Sequence, residues 1–204
     1  MLLPMLLMGK WYAIGKLKTI LAAVCLTICG VLGTYLWFWL ETGGRWSGRS
    51  FYGAVFLVPV MFLAVAPMLR IQYARLMDLC APAECIMLVL MKILCLLEGC
   101  CGGMLLYTAA DGTPVVFPSQ MVELANAAIL CGVLLWLSRK EKQRGLIYPW
   151  YLFLYGATRF VLNFFRAESN LKLTSGGIWS LLAIAIGGCI LLASNKKKEQ
   201  REIV

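Results

Sequence analysis

Lys92, Glu98, Glu123 and Arg159 stand inside or at the edge of runs that are otherwise apolar. A charge at the centre of a bilayer costs about 3 kcal/mol on insertion scales, so charged groups in such runs mark binding or reaction sites by default. Their spacing carries more. Ser119, Glu123 and Asn126 fall at i, i+4 and i+7, on one face of a helix. Tyr155, Arg159, Asn163 and Arg166 fall at i, i+4, i+8 and i+11, again on one face. Two polar stripes on apolar helices must meet each other, another span or trapped water. Guanidinium groups gathered there suit phosphate, because their planar fork donates paired hydrogen bonds. The plainer alternative is a set of ion pairs and hydrogen bonds that fix helix register, typically under about 2 kcal/mol per contact. Histidine is absent from the 204 residues. Any proton transfer therefore falls to a carboxylate, thiol, lysine or tyrosine.

The elements that position these groups follow from composition. The chain is 61% apolar and 14% charged, against about 25% charged in ordinary soluble domains. Mean hydropathy is +0.81. A soluble domain of this length buries only about 70% of the surface its unfolded chain exposes, so the excess apolar surface must face lipid. That excludes a soluble enzyme, a disordered chain and a nucleic-acid module. The formal charge of +9 does not indicate nucleic acid, because the basic residues cluster between apolar runs. Such clusters set membrane orientation and meet anionic headgroups.

Thr19–Leu40, Ser50–Leu69 and Leu173–Asn195 carry no charge and are long enough to cross a hydrocarbon core of about 30 Å. Glu84–Glu98, Ser119–Ser138 and Ile147–Phe165 are apolar but interrupted. The expected fold is all-α: one integral membrane domain over residues 1–204, a polytopic bundle of about six transmembrane helices. Met1–Met8 is too short to span and lacks the marks of a cleaved signal, so residues 1–16 are read as an interfacial segment and 195–204 as a solvated tail. With the N-terminus inside, thirteen lysines and arginines are cytoplasmic and four (Arg45, Arg49, Arg166 and Lys172) are outside, which satisfies the positive-inside bias and places both termini in the cytoplasm. The polar groups then gather in the outer half of the membrane. The aromatic belt takes in Trp37, Trp39 and Trp46 at one edge, Trp136 and Trp150 at the other. Most of the nine cysteines lie in apolar runs and behave as small hydrophobes; Cys100 and Cys101 form a vicinal pair near a membrane edge. Without histidine or a CxxC pair, no metal site is expected, and no cofactor. Gly187-Gly188 is expected to admit close helix packing.

Four segments in order resemble the prolipoprotein diacylglyceryl transferase family. Tyr155–Arg166 resembles its YGxxRFxxEFxR segment, and Pro118–Glu123 its P[ST]QLYE. Ser50-Phe51-Tyr52-Gly53 resembles SFHGG. Asp78–Pro82, with Lys92–Cys95 and Gly99–Gly102, resembles the ADxxAP…GRIGCFxxGCCYG variant. The resemblance covers roughly residues 50 to 185. It implies transfer of the diacylglyceryl group of phosphatidylglycerol to the lipobox cysteine of a secreted prolipoprotein, in the inner (cytoplasmic) membrane. Arg159 matches the arginine thought to engage the donor phosphate, and Glu123 the glutamate of the PSQ segment. The chain departs at three positions: Tyr52 replaces the SFHGG histidine, Lys92 the GRIG arginine and Asn163 the glutamate of RFxxEF. Arg159, Glu123, Tyr52 and Glu98 are the expected catalytic residues. Lys92, Arg159, Arg166, Asn163, Ser119, Gln120 and Asn126 are the expected phospholipid-binding set. The competing readings are a non-catalytic relative that binds lipid or lipoprotein, and a small transporter or channel subunit. The missing internal repeat counts against the last.

Overall fold

The computed structural model describes residues 2–44, 48–99, 102–167 and 172–202, without the side chains of 197–202. The Cys100–Cys101 pair, Arg45 and Trp46 lie outside the described residues. Seven α-helices occur among them: α1 (Leu2–Trp11), α2 (Lys16–Glu41), α3 (Tyr52–Leu69), α4 (Tyr73–Glu98), α5 (Ser119–Ser138), α6 (Ile147–Asn163) and α7 (Ser175–Glu202). Five of them, α2, α3, α4, α5 and the Ser175–Lys196 part of α7, are long and apolar enough to cross a membrane. The sixth expected span, α6, has 17 residues. Leu32, Val60, Leu63, Ile129 and Leu192 are exposed along these helices, as lipid-facing side chains must be. The chain is a polytopic helical membrane protein.

The start of the third span differs from expectation. The third span begins at Tyr73 rather than Glu84, because α4 absorbs Arg75 and Asp78. Asp78 is fully buried yet fully employed. Its Oδ2 accepts the Tyr12 hydroxyl at 2.8 Å and the Gly145 N–H at 2.5 Å. Its Oδ1 accepts the N–H groups of Ile147 and Tyr148 at 2.9 and 3.3 Å. These are the first two residues of α6, whose amides have no partner within their own helix. A side chain from α4 thus caps α6 as an N-cap residue would. The segment read as interfacial holds α1, a ten-residue helix with Pro4, Met5, Met8 and Gly9 buried.

The helices divide into two compact units, and the divisions fall inside α4, α5 and α6. Unit one holds Met1–Ile86 and Cys131–Tyr148. Here α2 and α3 touch backbone to backbone: a Cβ on Gly33 would lie 2.8 Å from the Gly53 carbonyl oxygen. Cations cover aromatic rings at the α1 and α5 ends, with Arg139 over Trp11, Lys140 over Trp136 and Arg144 over Tyr12. Unit two holds Met87–Leu130 and Pro149–Val204. In it α6 and α7 pack closely: a Cβ on Gly187 would come within 2.7 Å of the Phe153 nitrogen and the Pro149 oxygen. Gly187, not Gly188, is the residue that closeness requires, since a Cβ on Gly188 meets only ordinary contacts at 3.7 Å.

Unit two also holds an antiparallel ribbon that the sequence pattern did not suggest, β1 (Leu105–Thr108) with β2 (Pro114–Val116). Asp111 closes its turn, accepting the Thr113 hydroxyl and N–H at 2.6 and 3.0 Å, and those bonds hold its carboxyl below the usual range. The segment ahead of β1 pairs with the residues after α6. Met104 N–H donates to the Phe165 oxygen and Ala167 N–H to the Gly102 oxygen, around a bridge between Gly103 and Arg166.

Candidate functional site

Glu123 lies in the second turn of α5, and only 4% of its surface is exposed. Three cations converge on its carboxylate. Arg159 of α6 brings NH1 to 2.5 Å of Oε1. Arg166 brings NH1 to 3.7 Å of the same oxygen. Lys92 of α4 pairs through Nζ with Oε2. All four side chains are in unit two and almost wholly removed from solvent, at 5–14% exposure. The two polar stripes expected on α5 and α6 therefore do face each other. A second rung joins them, where Asn126 Nδ2 donates to the Thr158 hydroxyl at 3.1 Å.

Arg166 arrives differently from expectation. The stripe assumed one continuous helix through Phe165, but α6 ends at Asn163. Phe164, Phe165 and Arg166 follow in a tighter i→i+3 turn. Arg166 is then fixed by the backbone pairing at Gly103, where a side chain would overlap the Phe117 carbonyl. Phe117 stacks on Phe165 with ring centroids 4.9 Å apart. The ribbon that positions Arg166 was missed because its strands are short and irregular, with the register shifting between Leu105 and Tyr107.

The other expected site residues are placed as follows. Asn163 is buried and its amide donates to the Thr174 hydroxyl at 2.5 Å, tying the end of α6 to the start of α7. Ser119 is the buried first residue of α5, its N–H bonded to the Phe117 oxygen, and Gln120 follows it. Glu98 is the exposed last residue of α4, six positions past Lys92, which turns it about 240° around the helix from that lysine. Tyr52 begins α3 in unit one, buried, its ring stacked on Phe56 with centroids 6.2 Å apart. Thr158 and Thr174 are partners that sequence reasoning did not single out. A threonine beside a charged residue has no distinguishing signature until its helix neighbours are known.

The arrangement has a plain electrostatic meaning. Among the described residues the cluster joins one carboxylate to three cations where solvent is largely excluded. Preorganised positive charge in a water-poor site stabilises an anion far more than it does in water.

The sequence profile of the prolipoprotein diacylglyceryl transferase family matches residues 10–193. The chain belongs to that family. Among curated members of the family, it is similar to the phosphatidylglycerol–prolipoprotein diacylglyceryl transferase of Bordetella avium (strain 197N), 27% identical over 184 residues, 83% of this chain and 70% of the relative. The enzyme of the same name from Cupriavidus metallidurans is 30% identical over 176 residues, 78% of this chain and 65% of the relative. The corresponding transferase 2 of Clostridium perfringens is 29% identical over 140 residues, 63% of this chain and 55% of the relative. The chain thus spans about two thirds or less of the length of most of these transferases. The family match includes all four residues of the Glu123 cluster.

Proposed function

We propose that the protein transfers a diacylglyceryl group from phosphatidylglycerol to the thiol of a lipobox cysteine in a secreted prolipoprotein, within the inner (cytoplasmic) membrane. The observation that carries this reading is the convergence of three cations, Lys92, Arg159 and Arg166, on the buried Glu123 carboxylate. In the proposed reaction Arg159 and Arg166 hold the donor phosphate, and Lys92 adds a third positive charge. The thiol sulfur attacks the glyceryl carbon. A C–S bond forms as the C–O bond to phosphate breaks, and the electron pair leaves with glycerol phosphate. The charge that develops on that leaving group falls where the cations are already fixed, so they need no reorganisation during the step. Both oxygens of Glu123 are occupied by cations, which suits it to arranging them. Glu98, exposed at the end of α4, takes the thiol proton, because the thiolate is the nucleophile. Ser119, Gln120, Asn126 and Asn163, on the same helices, frame the cluster.

The test is purified protein with phosphatidylglycerol and a lipobox peptide, beside a family member of known activity. The expected result is a peptide gaining one diacylglyceryl mass as its free thiol disappears. Unchanged thiol while the control reacts overturns the transfer reaction. One observation favours a second reading, a relative that binds lipid without turnover: the Asn163 amide is committed to Thr174, where the family motif has a carboxylate. Bound phosphatidylglycerol with no thioether product selects it.

A further inference from the structure

A second cationic site lies in unit one, made of none of the residues around Glu123. A cavity of about 420 Å³ opens between the turn joining α1 to α2 and the turn joining α3 to α4. That volume is in the range of small-ligand sites. Lys18, Arg70 and Arg75 line it together with Gln72, and no carboxylate does. Asp78 lies behind Tyr12, but its oxygens accept four donors within the fold. The lining itself thus carries three positive charges and no negative one.

The backbone supports the same conclusion. Among the described residues, two that are not glycine have a left-handed backbone: Ala13 at φ 55° and Arg70 at φ 51°. Both line this cavity. Glycine is the usual occupant of such a position at a helix end, and Arg70 is the residue that ends α3. Placing arginine there keeps a guanidinium at the mouth at the expense of backbone ease. The Lys18 ammonium then reaches the Arg70 carbonyl at 3.4 Å, joining the two turns.

The level of the cavity is set by the helices around it. α2 starts at Lys16, α3 ends at Leu69 and α4 starts at Tyr73, so three membrane-length helices terminate at this cavity. Leu17 and Ile71 add an apolar wall beside the cations. We propose that this cavity binds a phosphate group, carried either by an anionic phospholipid headgroup or by a soluble phosphate. Arginine forks and an ammonium without a competing carboxylate are the chemistry that recognises phosphate.

The experiment compares the full chain in detergent with an Arg70→Gly/Arg75→Gln variant, which removes two charges and relieves the left-handed backbone. Native mass spectrometry follows titration with dioleoyl-phosphatidylglycerol and, separately, dioleoyl-phosphatidylcholine; calorimetry follows inorganic phosphate. The Glu123 cluster is intact in both proteins, so any difference reports this cavity alone. At least a fivefold weaker uptake of phosphatidylglycerol by the variant, with phosphatidylcholine unchanged, establishes a lipid headgroup site. Inorganic phosphate bound by the wild type and not by the variant establishes a soluble ligand. Equal behaviour of the two proteins with both probes overturns the proposal. Should the double variant fail to fold, Arg75→Gln and Lys18→Gln are read in the same way.

Discussion

At Glu123 one carboxylate holds Lys92, Arg159 and Arg166, and that shared anion dictates what substitution does. Arg159→Lys keeps the charge but loses the planar fork. Turnover is expected to fall about a hundredfold, the loss typical of removing one donor to a developing anion, with an unchanged melting profile in detergent. Near-normal turnover would show that Arg159 does not clamp the phosphate. Glu123→Gln acts on stability instead. It leaves three buried cations without their anion, and breaking a buried pair in this way costs about 3–5 kcal/mol. Adding Lys92→Met to that variant should recover part of the loss, since it removes one of the stranded charges. A lower thermal midpoint for the single variant, rising again in the double, is the pattern to look for. Lys92, Glu123 and Arg159 stood out in the sequence because charge inside an apolar run is costly, whereas Arg166 was placed on a helical stripe that stops at Asn163. The hydroxyls of Thr158 and Thr174 did not stand out, because threonine in an apolar helix carries no comparable penalty.

Elements position these residues through contacts that hydropathy alone does not show. The start of α6 is held by Asp78, six residues before Glu84, where the third span was expected to begin. Hydropathy put the start of that span at Glu84 because it counts Asp78 as a charge; four donors in the fold make the same residue a cap. Asp78→Ala strands the Tyr12 hydroxyl and the amides of Gly145, Ile147 and Tyr148. A lost cap costs about 1 kcal/mol and each unsatisfied buried donor about 1–3 kcal/mol, so the variant should melt well below the parent. Tyr12 gives this node a pH signature. Burial, with the Asp78 carboxylate beside it, pushes the Tyr12 hydroxyl well above its ordinary value. The folded state therefore keeps a proton that the unfolded chain releases near pH 10. The Tyr12 contribution is complete below about pH 10 and declines as pH rises further. Measured as the gap in thermal midpoint between wild type and Tyr12→Phe, it should be level from pH 6 to 9 and narrow above 10. A gap that widens with pH would contradict the assignment.

For the whole molecule, the decisive quantity is the number of crossings. Composition alone made a polytopic helical membrane protein legible, because apolar surface on this scale has no other place to go. It did not settle α6, whose 17 residues rise about 26 Å against a hydrocarbon core of about 30 Å. The shortfall is small enough for local thinning of the bilayer or for Arg159, near the C-terminal end of α6, to draw polar surroundings toward it. If α6 crosses, α2 through α7 make six passages and the two termini share a side. If it does not, five passages put them on opposite sides. The distribution of lysine and arginine argues for six, since thirteen such residues then fall on the terminal side and four on the other. Reporter fusions at the two ends, one active only in the cytoplasm and one only outside it, read the answer directly. Both ends are expected in the cytoplasm. A C-terminus outside, with the N-terminus inside, would mean that α6 turns back within the membrane, and Arg159 would then approach Glu123 on a re-entrant helix rather than a spanning one.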